Sequence, residues 1–364
     1  MVELALDKLT ADMQEYVKLD NKRMLRLCIK YCILKRVSLS RFKKIFETFL
    51  AASEKVYNLH TLDLDAVNGT VPPEDIAAFA KVFRNAFNAG GAQETKLYLK
   101  ATAAAKAVKY EKVMAKNVPV FTITPPGAIE GKELFHIHGG GWMSGTPEMS
   151  RAFCTEIALM TKLRVVSVEY RLFPEQPHPA QIEDVAMAYD WLLESGSKPE
   201  NIVIGGESAG GHLSLLLLNR LKINGNPLPA GAILLSPPIE LSFPNSQLFD
   251  NIPTDPVLGT NGAGVFLLNM LRGSKVDYTG PEFSPVHFDM TGFPPLLVQA
   301  STCEMLYFDA LTLRDKAEAA GVDLTLQTWD GVVHAFQVLT RKHYKDVKDA
   351  NTKIAEFLGK TLSL

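Results

Sequence analysis

The tightest constraint on this chain is a serine held between two glycines where an apolar run gives way to a helical one. Asn201-Ile202-Val203-Ile204 leads into Gly206-Glu207-Ser208-Ala209-Gly210, and the helical run His212–Leu221 follows. A strand that passes straight into a helix crowds its own turn, and glycines two before and two after the serine remove the side chains that would collide. Ser208 Oγ is thereby expected to stand exposed above a sheet, where a nucleophile belongs. The bare Gly-x-Ser-x-Gly pattern arises readily at ordinary Gly and Ser usage, so its weight comes from its surroundings.

Residues 109–364 supply them. Strand-like runs at Lys109–Ala115, Val118–Thr124, Glu133–His138, Leu163–Tyr170, Ile202–Gly206, Ala232–Ser236, Pro295–Ala300 and Asp323–Thr328 make eight. Between the later ones lie helical runs at Arg151–Lys162, Ile182–Glu194, His212–Lys222 and Leu306–Ala320. This alternation specifies an α/β fold, a mostly parallel sheet covered on both faces. Glu240–Ser284 breaks the rhythm. It is rich in Pro, Asn and Gly, turns helical at Gly264–Leu271, and reads as an insertion over the site that contributes to a cap.

Some 70 residues before Ser208, the apolar strand Phe135-His136-Ile137-His138 runs into Gly139-Gly140-Gly141-Trp142. Attack of a serine on a carbonyl makes a tetrahedral oxyanion, and losing one preorganised N–H donor to it typically costs roughly 100- to 1,000-fold in rate. The amides of Gly140, Gly141 and Ala209 are the candidate donors; the bland alternative is a flexible glycine turn. The serine also needs a base, and the base a group to orient it. His334 is the candidate base, in a loop after the strand-like Leu324–Thr328, and beyond residue 287 the other histidine, His343, falls in a charged C-terminal helix. A surface-loop histidine is the competing reading. For the orienting acid, Pro295–Ala300 is followed by both Glu304 and Asp309. Glu304 is nearer the strand end, where catalytic groups of open α/β sheets gather, and Asp309 is expected more than a turn into the next helix. The unused carboxylate would then serve as a helix-start residue stabilised by the macrodipole. Ser208, Glu304, His334 is the Ser, Asp/Glu, His order of an α/β-hydrolase.

On these residues the chain resembles the hormone-sensitive-lipase-like carboxylesterases of the α/β-hydrolase superfamily. The matching blocks are His138–Trp142; Glu169-Tyr170-Arg171-Leu172-Phe173-Pro174-Glu175 continuing through Pro179-Ala180 and Asp184 to Trp191; Gly205–Gly211; and the segments around Glu304 and His334. The resemblance covers about 109–364 and implies an α/β-hydrolase fold with a helical N-terminal cap, and a serine carboxylesterase that acts through an acyl-enzyme on short- to medium-chain esters. Three departures stand out. Glu304-Met305-Leu306 replaces the usual Asp-Pro-Leu, His334-Ala335 the usual His-Gly, and Phe173 an alanine. Arg171 and Glu175 look like an internal ion pair holding their loop.

Hydrophobic residues make up 47% of the 364, enough for one large domain and a smaller unit, here 1–105 as a helical cap region and 106–364 as the catalytic domain. A net charge of −2 gives no nucleic-acid footprint. The four cysteines form no Cys-x-x-Cys, and read as small core residues in a reducing compartment. His136 and His138 alternate on a strand without the partners zinc would need, so neither metal nor cofactor is expected. Asn21–Phe46 carries nine Lys or Arg and no Asp or Glu, interleaved with apolar residues at helical spacing. Such helices either pack as a cap with solvated basic faces or make peripheral contact with an anionic membrane through 21–46. Thr70–Asp75 reads as a linker or helix start before a helix at Ile76–Phe87, Asn88-Ala89-Gly90-Gly91 as a second break, and Ala101–Val108 as a helix. No apolar run is long enough to span a membrane and Met1–Asp20 has no apolar signal core, so the expected location is cytoplasmic. The expected partner is a small-molecule ester, and a dimer is compatible with the sequence. A lipid or sterol-ester hydrolase at a membrane, and a non-catalytic small-molecule receptor on the same fold, are the alternatives.

Overall fold

The computed structural model describes residues 4–59, 73–241, 246–259, 277, 280–339 and 344–364. Eight strands form one sheet: β1 (Lys109–Ala115), β2 (Val118–Thr124), β3 (Glu133–Ile137), β4 (Arg164–Val168), β5 (Ile202–Glu207), β6 (Gly231–Leu235), β7 (Leu296–Ser301) and β8 (Leu324–Trp329). Their spatial order is β1-β2-β4-β3-β5-β6-β7-β8. β2 pairs antiparallel with β1 and β4, and every other pairing is parallel. Eight α-helices occur among the described residues: α1 (Ala11–Leu34), α2 (Leu39–Leu59), α3 (Pro73–Ala101), α4 (Pro147–Thr161), α5 (Ala180–Glu194), α6 (Ala209–Ile223), α7 (Tyr307–Ala319) and α8 (Lys345–Leu362).

The period-2 alternation of the central strands sorts their side chains between two helical layers. Leu134, Val165, Val203, Ile233, Leu235 and Leu297 pack with residues of α4 and α8. Their strand neighbours, among them Phe135, Ile137, Val166, Ile204, Leu234 and Val298, pack with α5, α6 and α7. Each fully buried Val, Leu or Ile contributes about 1.5–3 kcal/mol, which is why central strands buried on both faces read as unbroken apolar runs. β5 lies in the middle of this order, so its C-terminal end opens between the strand ends of β3 and β6.

The N-terminal helices differ from the expected pattern. Gly90 and Gly91 do not break a helix but lie inside the 29-residue α3. A Cβ on Gly91 would sit 2.6 Å from Met149 Cε, so this glycine serves close packing of α3 on α4 rather than a turn. Ala101–Val108 yields a short 3-10 turn, Ala103–Ala107, instead of an α-helix. The predicted helix at 264–271, and His343, lie outside the described residues. At the other end of the segment, Leu9, Met13 and Val17 bury against Val332, Val333, Phe336 and α8. Thr10 N donates to Gly331 O at 2.8 Å, so the foot of α1 is fixed to the loop that carries His334.

Candidate active site

Ser208 sits between β5 and α6 with φ 54° and ψ −120°, a conformation that costs a non-glycine residue of order 1–3 kcal/mol. Its N–H donates to Leu235 O at 2.7 Å and its carbonyl accepts from His212 N at 3.1 Å, which over-determines the turn. The flanking glycines have a measurable reason. A Cβ on either Gly206 or Gly210 would lie 1.9 Å from Ile137 O of the neighbouring strand, far inside van der Waals contact, so no other residue fits.

The glycine loop after β3 folds against that elbow. Gly139 N donates to Glu207 Oε1 at 2.9 Å, and a Cβ on Gly139 would be 3.3 Å from Ser208 Cβ. Gly140 (φ 113°) and Gly141 (φ 60°) adopt left-handed backbone, and Gly140 O accepts from Ser144 N and Oγ at 2.9 and 2.7 Å. The N–H groups of Gly140, Gly141 and Ala209 donate to no acceptor among the described residues. Three backbone donors without partners, at a helix N-terminus and in a left-handed glycine pair, are suited to hold negative charge.

Beneath this loop lies a buried polar cluster absent from the sequence expectations. Glu207 Oε1 also accepts from Ser150 Oγ at 2.8 Å, and Glu207 Oε2 pairs with His136 Nε2 at 2.9 Å. His136 Nδ1 is 3.0 Å from Ser167 Oγ. Burial opposes charge on His136, but the nearby Cys154 sulfur and the Glu207 carboxylate overcome it and raise its pKa to about 10. Burial likewise works against the Glu207 carboxylate, yet His136 and the hydrogen bonds from Gly139 and Ser150 hold it below its ordinary value. The residue before the serine therefore ties the glycine loop to the elbow. His138 instead stacks on Tyr170, ring centroids 4.2 Å apart, and burial lowers its pKa to about 4. Trp142 Nε1 donates to His212 Nδ1 at 3.2 Å, and His212 Nε2 donates to Phe283 O at 2.6 Å. Burial keeps His212 neutral, its pKa lowered to about 3.

On the far side of the sheet end, His334 Nδ1 donates to Glu304 Oε2. The other carboxylate oxygen, Oε1, accepts from Ser301 N and Ser236 Oγ, both at 2.8 Å. Asn251 Nδ2 bonds the carbonyls of Thr302 and Glu304, and Met305 N donates to the buried Asp255 carboxylate at 3.0 Å. Burial opposes protonation of His334, but the charge and hydrogen bond of Glu304 outweigh it and raise its pKa above 6.5, with smaller help from Asp255 and Glu207. Ser208 Oγ donates no hydrogen bond to His334 in this structure; the two residues share the C-terminal edge of the sheet, at β5 and after β8.

Two expectations about charged residues are corrected. Asp309 is the third residue of α7 rather than a turn and more inside it, and its Oδ2 accepts from Ile239 N at 2.8 Å, whereas His334 Nδ1 is engaged by Glu304. Burial outweighs this bond and the first-turn position, pushing its pKa up to about 7. Arg171 and Glu175 do not pair. Arg171 binds Asp184 and Glu183, whereas Glu175 pairs with Arg84 of α3 at 2.7 Å. Arg84 also donates to the carbonyls of Met143 and Phe173, so an arginine of α3 fastens both segments. Nothing local in the sequence marks it.

Residues 134–338 match the family model described as alpha/beta hydrolase fold. An esterase of Acinetobacter venetianus is 35% identical over 224 residues, 62% of this chain and 73% of that protein. An acetyl-hydrolase of Streptomyces hygroscopicus is 33% identical over 211 residues, 58% of this chain and 70% of its own length. Among solved structures, an esterase from the bacterial hormone-sensitive lipase family superposes with a TM-score of 0.69 at 29% identity, covering 89% of this chain and 99% of that one.

Proposed function

Because the chain belongs to the α/β-hydrolase fold family, and within it to the hormone-sensitive-lipase-like carboxylic ester hydrolases, we propose that Ser208, His334 and Glu304 are its catalytic nucleophile, base and orienting acid. The observation that carries this reading is the pairing of His334 Nδ1 with a Glu304 whose other oxygen is already committed to two donors. That pairing assigns the Nδ1–H tautomer to the neutral imidazole and leaves Nε2 as the acceptor. Ser208 Oγ attacks the ester carbonyl as its proton passes to Nε2, and the buried carboxylate stabilises the imidazolium. The amides of Gly140, Gly141 and Ala209 take the oxyanion. His334 then protonates the departing alcohol, and water repeats the sequence on the acyl-enzyme to release the acid.

The substrates are small carboxylic esters of short to medium acyl chain, a reading supported by the acetyl-hydrolase relative. The α1–α3 segment forms the cap beside the site, with Arg84 and the Thr10–Gly331 bond as its anchors; most of 240–284 lies outside the described residues. Hydrolysis of p-nitrophenyl esters from two to sixteen carbons tests this. Turnover greatest on the shorter esters, abolished by Ser208→Ala and retained by Asp309→Asn, is expected. An active Ser208→Ala protein removes the nucleophile assignment, and an optimum at the longest chains removes the substrate class.

A further inference from the structure

The N-terminal helical hairpin carries a surface that ester hydrolysis does not use. Leu25, Ile33 and Leu34 are 64%, 69% and 59% exposed, and Leu19, Ile29 and Leu39 are exposed as well. Large apolar side chains scattered singly need no explanation, but five of these six lie on α1 and the sixth, Leu39, opens α2 just past the turn. Leu25, Ile29 and Ile33 form one i, i+4 row of α1, and Lys22, Arg26 and Lys30 form the row beside it. The opposite face of α1 buries Met13, Val17, Leu27 and Cys32. Lys35 and Arg36 continue the exposed surface through the turn, and Lys44 extends it on α2.

The charge of this surface identifies what it fits. Residues 21–46 carry nine basic and no acidic side chains, so the remaining residues hold −11 within a chain of net −2. Arg23, Arg41 and Lys43 are engaged by Asp20 and Glu94, Asp75, and Glu47. Lys22, Arg26, Lys30, Lys35, Arg36 and Lys44 form no ion pair among the described residues. A basic patch for nucleic acid would present its cations without a row of exposed Leu and Ile. Lys30 lies over the Tyr31 ring at 5.7 Å, and a row of aliphatic side chains flanked by cations without carboxylate partners matches the headgroup boundary of an anionic bilayer, where the chains enter the acyl region and the cations stay at the phosphates.

We propose that the α1–α2 corner, residues 19–44, docks this protein peripherally on anionic lipid surfaces. No described helix is long and apolar enough to cross a membrane, so the attachment is interfacial. Thr10, at the foot of α1, bonds Gly331 in the loop that carries His334, and the 24 residues of α1 put the corner about 36 Å away at the ordinary helical rise. The corner therefore tethers the enzyme without entering its site.

Co-sedimentation of the full chain with vesicles of phosphatidylcholine plus 30% phosphatidylglycerol, against pure phosphatidylcholine, tests the proposal. Binding is expected on the anionic vesicles in low salt, and is lost at high salt as exposed charges are screened. Replacing Lys22, Arg26, Lys30 and Lys35 by Gln should weaken it about fivefold per charge, and Leu25→Ser with Ile29→Ser and Ile33→Ser should also abolish sedimentation. Both variants should hydrolyse p-nitrophenyl acetate at the parental rate, which shows that they fold. No binding by the parent chain, equal binding to both vesicle types, or binding indifferent to the Gln variant overturns the proposal. So does a concentration-dependent dimer in sedimentation velocity that the Ser variant dissociates, because a second copy would then cover this face.

Discussion

Replacing Glu304 by glutamine should harm this enzyme more than removing the side chain to Cβ. In the parent, Glu304 Oε1 accepts from Ser301 N–H and Ser236 O–H, and Oε2 faces His334 Nδ1. A glutamine of the same shape must offer its carbonyl oxygen to one side and its NH2 to the other. The Ser236 hydroxyl can rotate and accept, but Ser301 N–H can only donate. The carbonyl is therefore drawn to Ser301 and the NH2 to His334, which forces the imidazole to accept at Nδ1 and carry its proton on Nε2. That tautomer cannot take a proton from Ser208. The reversed amide would set NH2 against a buried N–H at a cost of about 1–3 kcal/mol, so the productive arrangement falls roughly 5- to 150-fold in population. Losing the charged hydrogen bond to the imidazolium costs about 1.5–3 kcal/mol, a further 10- to 150-fold or so. Glu304→Gln should thus lose roughly 10^2- to 10^4-fold in kcat/KM, whereas Glu304→Ala suffers only the second factor. Steady-state kinetics on p-nitrophenyl butyrate measures both, with thermal melts to confirm that each variant is folded at the assay temperature. A glutamine variant as active as the alanine variant, or within tenfold of the parent, refutes the argument.

As the proposed base, His334 must be neutral to act, and its pKa lies above 6.5 because Glu304 outweighs the opposing effect of burial. kcat/KM should therefore rise with pH to a midpoint above 6.5, and Glu304→Ala should move that midpoint down; a profile flat from pH 5 to 8 would count against His334. Gly210→Ala would place a Cβ 1.9 Å from Ile137 O and should destabilise by about 3 kcal/mol or more. Gly225→Ala is the converse case: Gly225 has positive φ (68°) but a Cβ there meets nothing within 4 Å, so its cost is the conformational one alone, about 1–2 kcal/mol. Equal melting-temperature losses for the two would show that the strand contact is not what demands glycine at 210.

The sheet was legible because its strands are short, apolar and flanked by helical runs: each expected strand begins and ends within two residues of an observed one. The elbow was legible for a related reason, since glycine at 206 and 210 answers to a contact fixed by any strand-to-helix crossing of this kind. Asp309 was misread because its position was judged from its distance along the chain. Whether α7 begins at 307 or earlier depends on where the turn after β7 ends, and that turn is held by Asn251 and Asp255, some 50 residues away. The Gly90-Gly91 break failed on the same ground. Glycine lowers helix stability by about 1 kcal/mol per residue, but in α3 the close approach of Met149 is available only to glycine.

What escapes a reading of local pattern is the set of bonds that join the two glycine-bearing loops to the rest of the molecule. Arg84, Thr10 and Phe283 each reach the site from a segment with no motif, and each does so through a backbone carbonyl or amide that sequence cannot distinguish from its neighbours. Glu207 is the instructive intermediate. It stands inside the most recognisable motif of the chain, yet the motif leaves its position open, and only the fold brings His136, Ser150 and Gly139 to its two oxygens. A buried carboxylate with three donors fixes where the glycine loop begins relative to Ser208. The donors that stabilise an oxyanion act only if they are held within a fraction of an ångström, so the residue that pattern matching treats as variable is the one that sets the distance between the two halves of the motif.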